Sequence, residues 1–194
     1  MDYSVIMAGF GGQGVLLMGD LLAFSAMKAG LNVTWMPAYG VEMRGGAASC
    51  TVVLSDQPIG APIVGKASAV IAMSEPGLQK FKDRLQPRGL LMINSSLVED
   101  KAAEKNGVEM VLVPAQELAE ASGDGKMGNL AMLGAFLAHT GLLDLKQVVE
   151  QVPAFLPESK LRLASGITRA LLKGKEFIES HCKQAGRGFP GTAF

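Results

Sequence analysis

Tyr3-Ser-Val-Ile-Met-Ala8, Gly9-Phe-Gly-Gly-Gln-Gly14 and Val15-Leu-Leu-Met-Gly-Asp20 stand in that order at the start of the chain, and they decide its fold. The first segment is rich in β-formers and reads as a strand. The second is a glycine-rich turn, with Gly11 and Gly14 placed where a tight bend needs positive φ. The third opens a helix predicted over Val15 to Ala29, charged only at Asp20 and Lys28, which Gly30 stops. Leu31 to Met36 reads as a second strand. Strand, glycine-rich turn, helix and strand in succession open an α/β domain: a three-layer, Rossmann-like arrangement with a mostly parallel sheet flanked by helices.

Working outward, Pro37 to Gly46 reads as a loop and Ala48 to Leu54 as a third strand with many β-branched residues. Prolines and glycines break Ser55 to Lys66. Short buried strands follow at Ala69–Met73, Leu90–Ile93 and Val108–Val113, with a charged helix over Gly77–Leu85 between the first two. Helices are predicted at Ala115–Glu120, Asn129–His139 and Leu145–Gln151, and a long one at Glu158–His181. No repeat or linker marks a second domain, so residues 1–182 read as one domain and 183–194 as a loosely held tail.

Composition excludes several function classes. The 194 residues carry 18 Lys+Arg and 18 Asp+Glu, so net charge gives no reason to expect nucleic acid as partner. Seven of the basic residues lie from Glu158 onward against three acids, consistent with a solvated basic helix. The chain is 48% hydrophobic yet no run suits a membrane span, and its first residues lack the basic start of a signal peptide, which makes the cytoplasm the expected compartment. Two cysteines, Cys50 and Cys182, cannot make a four-thiolate cluster or zinc site, and neither His139 nor His181 sits at metal-ligand spacing. No catalytic residue and no metal ligand is identified.

Gly9-x-Gly11-x-x-Gly14 matches a dinucleotide-binding turn, whose backbone amides at a helix start suit an anion. The acid expected at the end of the second strand is missing: no Asp or Glu stands between Asp20 and Glu42. A free-standing Rossmann-like nucleotide-binding protein therefore stands as the alternative function. Gly9, Gly11, Gly12, Gln13 and Gly14 are the candidate cofactor-binding residues, for an anion. Tyr39, Glu42 and Arg44, spaced among glycines, offer an aromatic, an acid and a guanidinium fork suited to a subunit boundary. Gly123-Asp-Gly125 echoes a thiamine diphosphate segment, but Asn129 follows too soon to complete it, and Asn129 is expected to cap the next helix. The eleven methionines read as adaptable core and interface filler.

Taken together, Gly9-Phe-Gly-Gly-Gln-Gly-Val15, Tyr39-Gly-x-Glu-x-Arg-Gly-Gly46, Ser55-x-x-Pro-Ile-Gly60 and Asn129-x-x-Met-Leu-Gly134 resemble the gamma family of 2-oxoacid:ferredoxin oxidoreductases, in the family's own order. The resemblance, closest to the 2-oxoglutarate type, implies a subunit of a larger enzyme. That enzyme decarboxylates a 2-oxoacid on thiamine diphosphate, reduces ferredoxin through iron–sulfur clusters and forms an acyl-coenzyme A. It implies alpha, beta and ferredoxin-like delta subunits as partners, ferredoxin as an indirect one, and no redox cofactor in this chain, which would be inactive alone. For Gly9, Gly11, Gly12, Gln13 and Gly14 it implies the coenzyme A approach as their role. The apolar, Met-rich first half also leads to an expectation of self-association into a homodimer.

Overall fold

The computed structural model describes residues 2–39, 47–99 and 107–184. The chain divides into two compact units, Met1–Val113 and Pro114–Phe194.

The first unit holds one sheet made of β1 (Asp2–Phe10), β2 (Asn32–Tyr39), β3 (Ala47–Ser55), β4 (Ala67–Ala72), β5 (Leu85–Asn94) and β6 (Glu109–Val113). Their spatial order is β2-β3-β1-β4-β5-β6. The sheet is mostly parallel: β1, β4, β5 and β6 run together, and β3 is antiparallel to both β1 and β2. A β–α–β opening places its second strand beside the first. Here β3 takes that place, pairing with β1 from Asp2↔Ser55 to Phe10↔Ala47, and β2 is moved out to the edge. The same pairing lengthens β2 past the predicted Met36, because Pro37 and Tyr39 find register partners in Cys50 and Ala48. A proline is tolerated there because β2 is an edge strand.

Alternation along β1 sends its side chains to two faces. Helix α1 (Val15–Lys28) lies on the face of Met7 and Cys50: the Cys50 thiol reaches the Val15 carbonyl at 3.6 Å, and Gly19 sits against Cys50 and the Trp35 indole. Helix α2 (Glu75–Phe81) lies on the opposite face, where Leu78 and Phe81 pack with Ile6, Ala8, Val70, Ala72, Leu91 and Ile93. Gly77 brings α2 within 3.0 Å of the Ala8 backbone, measured from where a Cβ would stand. Helix α2 starts earlier than the predicted Gly77 because Ser74 caps it, accepting from the Gly77 amide at 3.3 Å, with Pro76 in the first turn.

The second unit is helical: α3 (Ala115–Ala121), α4 (Gly128–Thr140), α5 (Leu145–Phe155) and α6 (Ala164–Gln184). Asn129 does not cap α4 as expected; the cap position is Met127, and Asn129 is buried in the first turn. The long helix predicted from Glu158 is a 3₁₀ segment over Glu158–Leu163 followed by α6. Helix α6 continues through Lys183 and Gln184, and the rest of the expected tail, 185–194, lies outside the described residues. Every residue of α4 from Gly128 to Leu137 is buried. Its contact with α6 depends on two glycines. A Cβ on Gly134 would strike the Leu171 carbonyl, 2.7 Å from its carbon, and one on Gly174 would strike Ala131 and come 2.6 Å from the Ala135 nitrogen.

In an open helix, Gly→Ala stabilises by about 1 kcal/mol. At this crossing the sign reverses, because backbone cannot yield as a side-chain tip can. Gly134→Ala and Gly174→Ala are each expected to lower stability by about 1–3 kcal/mol in urea unfolding. Gains in stability would show that the two helices separate freely.

Candidate functional site

The glycine-rich turn closes the carboxyl end of β1. Positive φ falls at Gly12 (100°) and Gly14 (70°), not at Gly11 as the motif suggested. Gly14 is the left-handed N-cap of α1, and no side chain caps that helix or places an acid in its first turn. Gly12 is exposed, with no described residue within 4 Å of the position a Cβ would take. Between these glycines, Gln13 is engaged within the protein. Its backbone N–H donates to the Phe10 carbonyl at 3.1 Å. Its side-chain Oε1 accepts from the Phe10 N–H at 2.7 Å, and its Nε2 donates to the Met73 carbonyl at 3.1 Å. Gly9 leaves room for that carboxamide, since a Cβ there would collide with the Gln13 oxygen.

Strand order places this turn at a special point. β1 and β4 are adjacent and parallel, yet α1 leaves β1 on one face and α2 follows β4 on the other. Open α/β sheets receive ligands outside the carboxyl ends of such a strand pair. An open hollow of about 370 Å³ lies there, lined by Phe10, Gly11, Gly12, Gly14, Val15, Leu16 and Ala48. It faces the start of α1, whose partial positive charge favours an anion. A second hollow, about 400 Å³, lies at the amino end of the strands between Asp2–Ser4, the 58–66 segment and Gln86. It is remote from the strand ends where such sheets place ligands.

A dinucleotide needs a second anchor at the end of the strand next to β1. In this sheet that neighbour is antiparallel β3, and β2 stands one strand further out, roughly 9–10 Å from β1 at ordinary strand spacing. Both the acid and its position are missing.

Of the loop residues singled out in the sequence, Tyr39 ends β2, while Glu42 and Arg44 lie outside the described residues. Cys50, under α1, is buried, and burial pushes its thiol up to about 12. Among the described residues no three His, Cys, Asp or Glu side chains gather as a metal site. No helix among them is long and apolar enough to cross a membrane. Asp124 closes a local turn, its Oδ1 accepting from the Lys126 amide at 3.0 Å.

Comparison with known proteins gives this geometry a lineage. The family described as pyruvate ferredoxin/flavodoxin oxidoreductase matches residues 4–177. The chain belongs to that family. It is 33% identical over 164 residues to the 2-oxoglutarate synthase subunit KorC of Methanothermobacter marburgensis, covering 81% of this chain and 88% of that protein. It is 39% identical over 137 residues to the ketoisovalerate oxidoreductase subunit VorA of the same organism, covering 71% of this chain and 28% of that protein. The chain thus spans little more than a quarter of the VorA subunit it matches. Among solved structures, the keto/oxoacid ferredoxin oxidoreductase gamma subunit of Geobacter sulfurreducens superposes with a TM-score of 0.75 at 26% identity, over 92% of this chain and 99% of that one.

The segments singled out in the sequence have distinct physical roles. Asn129-x-x-Met-Leu-Gly134 is the buried first half of α4, ending in the glycine that seats α6. In Ser55-x-x-Pro-Ile-Gly60, the Ser55 hydroxyl accepts from the Gln57 amide at 3.0 Å, and Pro58, Ile59 and Gly60 line the hollow at the amino end. Of the motif residues within the described segments, the glycine-rich turn and Tyr39 at the end of β2 lie at the ligand-receiving edge.

Two measurements follow. Gly12→Val and Gly14→Val should each cost about 1–3 kcal/mol from strain at positive φ, while Gly11→Ala should stay within about 0.5 kcal/mol. Native alkylation at pH 8 should spare Cys50 until denaturant is added, because raising the thiol from 9.0 to about 12 lowers its thiolate fraction on the order of a thousandfold. Rapid native labelling of Cys50 would mean that the α1–β3 seam opens readily.

Proposed function

We propose that this chain is the gamma-type subunit of a 2-oxoacid:ferredoxin oxidoreductase, with 2-oxoglutarate as the substrate of the complete enzyme. The observation that carries the proposal is the near end-to-end match to a 2-oxoglutarate synthase subunit. A match over only part of a longer ketoisovalerate subunit favours that substrate less. In the complete enzyme, a 2-oxoacid and coenzyme A give an acyl-coenzyme A, carbon dioxide, a proton and two electrons, which pass to ferredoxin.

The residues of this chain fit some of that chemistry and not the rest. Two cysteines, one of them buried under α1, do not fit an iron–sulfur cluster. Asp124, turned onto the Lys126 amide without the later asparagine, does not fit the metal-binding segment of a thiamine diphosphate site. Both groups are assigned to alpha, beta and delta partner subunits, with ferredoxin reached through them. The turn does fit coenzyme A. A pyrophosphate would find the positive end of α1, an exposed Gly12 with no described residue against it, and an adjoining apolar wall of Val15 and Leu16. In this role the chain supports assembly and lines the coenzyme A approach.

Leu17, Trp35, Met36 and Ile63 are exposed apolar residues of the first unit, at 39%, 37%, 41% and 78%. They supply surface for partner subunits or a second copy of this chain. Tyr39, Glu42 and Arg44 are assigned to the same boundary.

The purified chain is expected to turn over no 2-oxoacid and to show no visible chromophore. Reconstituted with its partners, it should support ferredoxin reduction fastest with 2-oxoglutarate. Turnover by the chain alone, or a preference for pyruvate or 2-oxoisovalerate, would overturn the respective part of the assignment. Arg44→Ala should leave the chain's Tm unchanged while weakening assembly by about 2 kcal/mol or raising the coenzyme A requirement. A lowered Tm would make Arg44 a residue of the fold.

A further inference from the structure

We propose that Gln13 is a positioning residue: its carboxamide ties the glycine-rich turn to the end of β4 and so fixes the mouth that receives coenzyme A, without touching that ligand. The inference rests on the coenzyme A assignment of the preceding subsection.

Gln13 sits between two left-handed glycines, Gly12 and Gly14, in a segment that has left the β-ladder. Backbone of that kind has a wide range of conformations to lose, and ordering it on binding would weaken affinity. The side chain removes that freedom beforehand. One amide group accepts from the last residue of β1 and donates to the residue just after β4. It thus spans the two strands whose helices part to opposite faces. One step below, the Met73 N–H donates to the Ala8 carbonyl at 2.7 Å, so the strand ends are already in fixed register where the carboxamide bridges them. Gly9 keeps the space open, because any Cβ there would displace the Gln13 oxygen. The hollow over the turn is lined by residues on either side of Gln13 but not by Gln13 itself. The glutamine has both of its polar atoms committed inward and shapes the site from behind.

Two variants separate the bonds. Gln13→Ala removes both. Gln13→Glu keeps an acceptor for the Phe10 amide but has no donor for the Met73 carbonyl, so it tests the tie to β4 alone and serves if the alanine variant fails to fold. Hydrogen exchange of the Phe10 amide is measured on the full chain. KM for coenzyme A, KM for the 2-oxoacid and kcat are measured on the reconstituted complex.

Positioning predicts that Gln13→Ala loses Phe10 protection. Both variants should raise the KM for coenzyme A tenfold or more, with kcat and the 2-oxoacid KM within twofold of wild type. A raised KM in Gln13→Ala with Phe10 still protected would make Gln13 a direct ligand contact and overturn the inference. So would loss of protection with an unchanged KM, or a glutamate variant that behaves as wild type. The coenzyme A assignment is tested separately by Gly12→Val in the same complex. If that variant assembles and its KM for coenzyme A is unchanged, the assignment itself falls, and this inference with it.

Discussion

The antiparallel ladder between β1 and β3 governs the first unit. Its register runs unbroken from Asp2↔Ser55 to Phe10↔Ala47. By occupying the flank of β1 where a second parallel strand would otherwise lie, β3 leaves β4 as the parallel neighbour of β1. Adjacent parallel strands with helices on opposite faces create the crevice at their carboxyl ends, and the glycine-rich turn stands in it. The same ladder carries Cys50 and Val52 beneath α1, so the helix that begins at Gly14 is held by the strand that displaced β2. Weakening this ladder would shift the helix start, the turn and the edge strand together.

Features that depend on near neighbours were legible in the sequence. The β-formers of Tyr3–Ala8, the glycines that follow and Gly30 just past the helix fixed β1 and α1 to within a residue or two at each end. The Ser74-Glu-Pro signal for α2 is equally local, but the run of charged residues that follows masks it. Strand order was not legible, because which strand pairs with β1 is settled by contacts far apart along the chain. The role of Gln13 was hidden for the same reason. A glutamine among glycines looks like a group free to meet a ligand, and its partner, the Met73 carbonyl, lies 60 residues away. The need for glycine at 134 and 174 is set in the same way, by the backbone of the neighbouring helix.

Motifs that mark a family need not mark a site. The late motif around Gly134 reflects a helix crossing, and the motif around Pro58 a turn at the amino end of the strands. Among the described residues, geometry, helix polarity and open space coincide at the glycine-rich turn.

Trp35 is the sole tryptophan of the chain, and its indole lies in the seam between β2, Gly19 of α1 and Cys50 while remaining partly exposed. All tryptophan emission therefore originates in the first unit. Among the described residues four of the six α-helices, and with them most of the helical far-ultraviolet dichroism, belong to the second. The protein thus has a separate optical label for each half. Coincident melting curves from the two signals would indicate one cooperative transition, and divergent curves two.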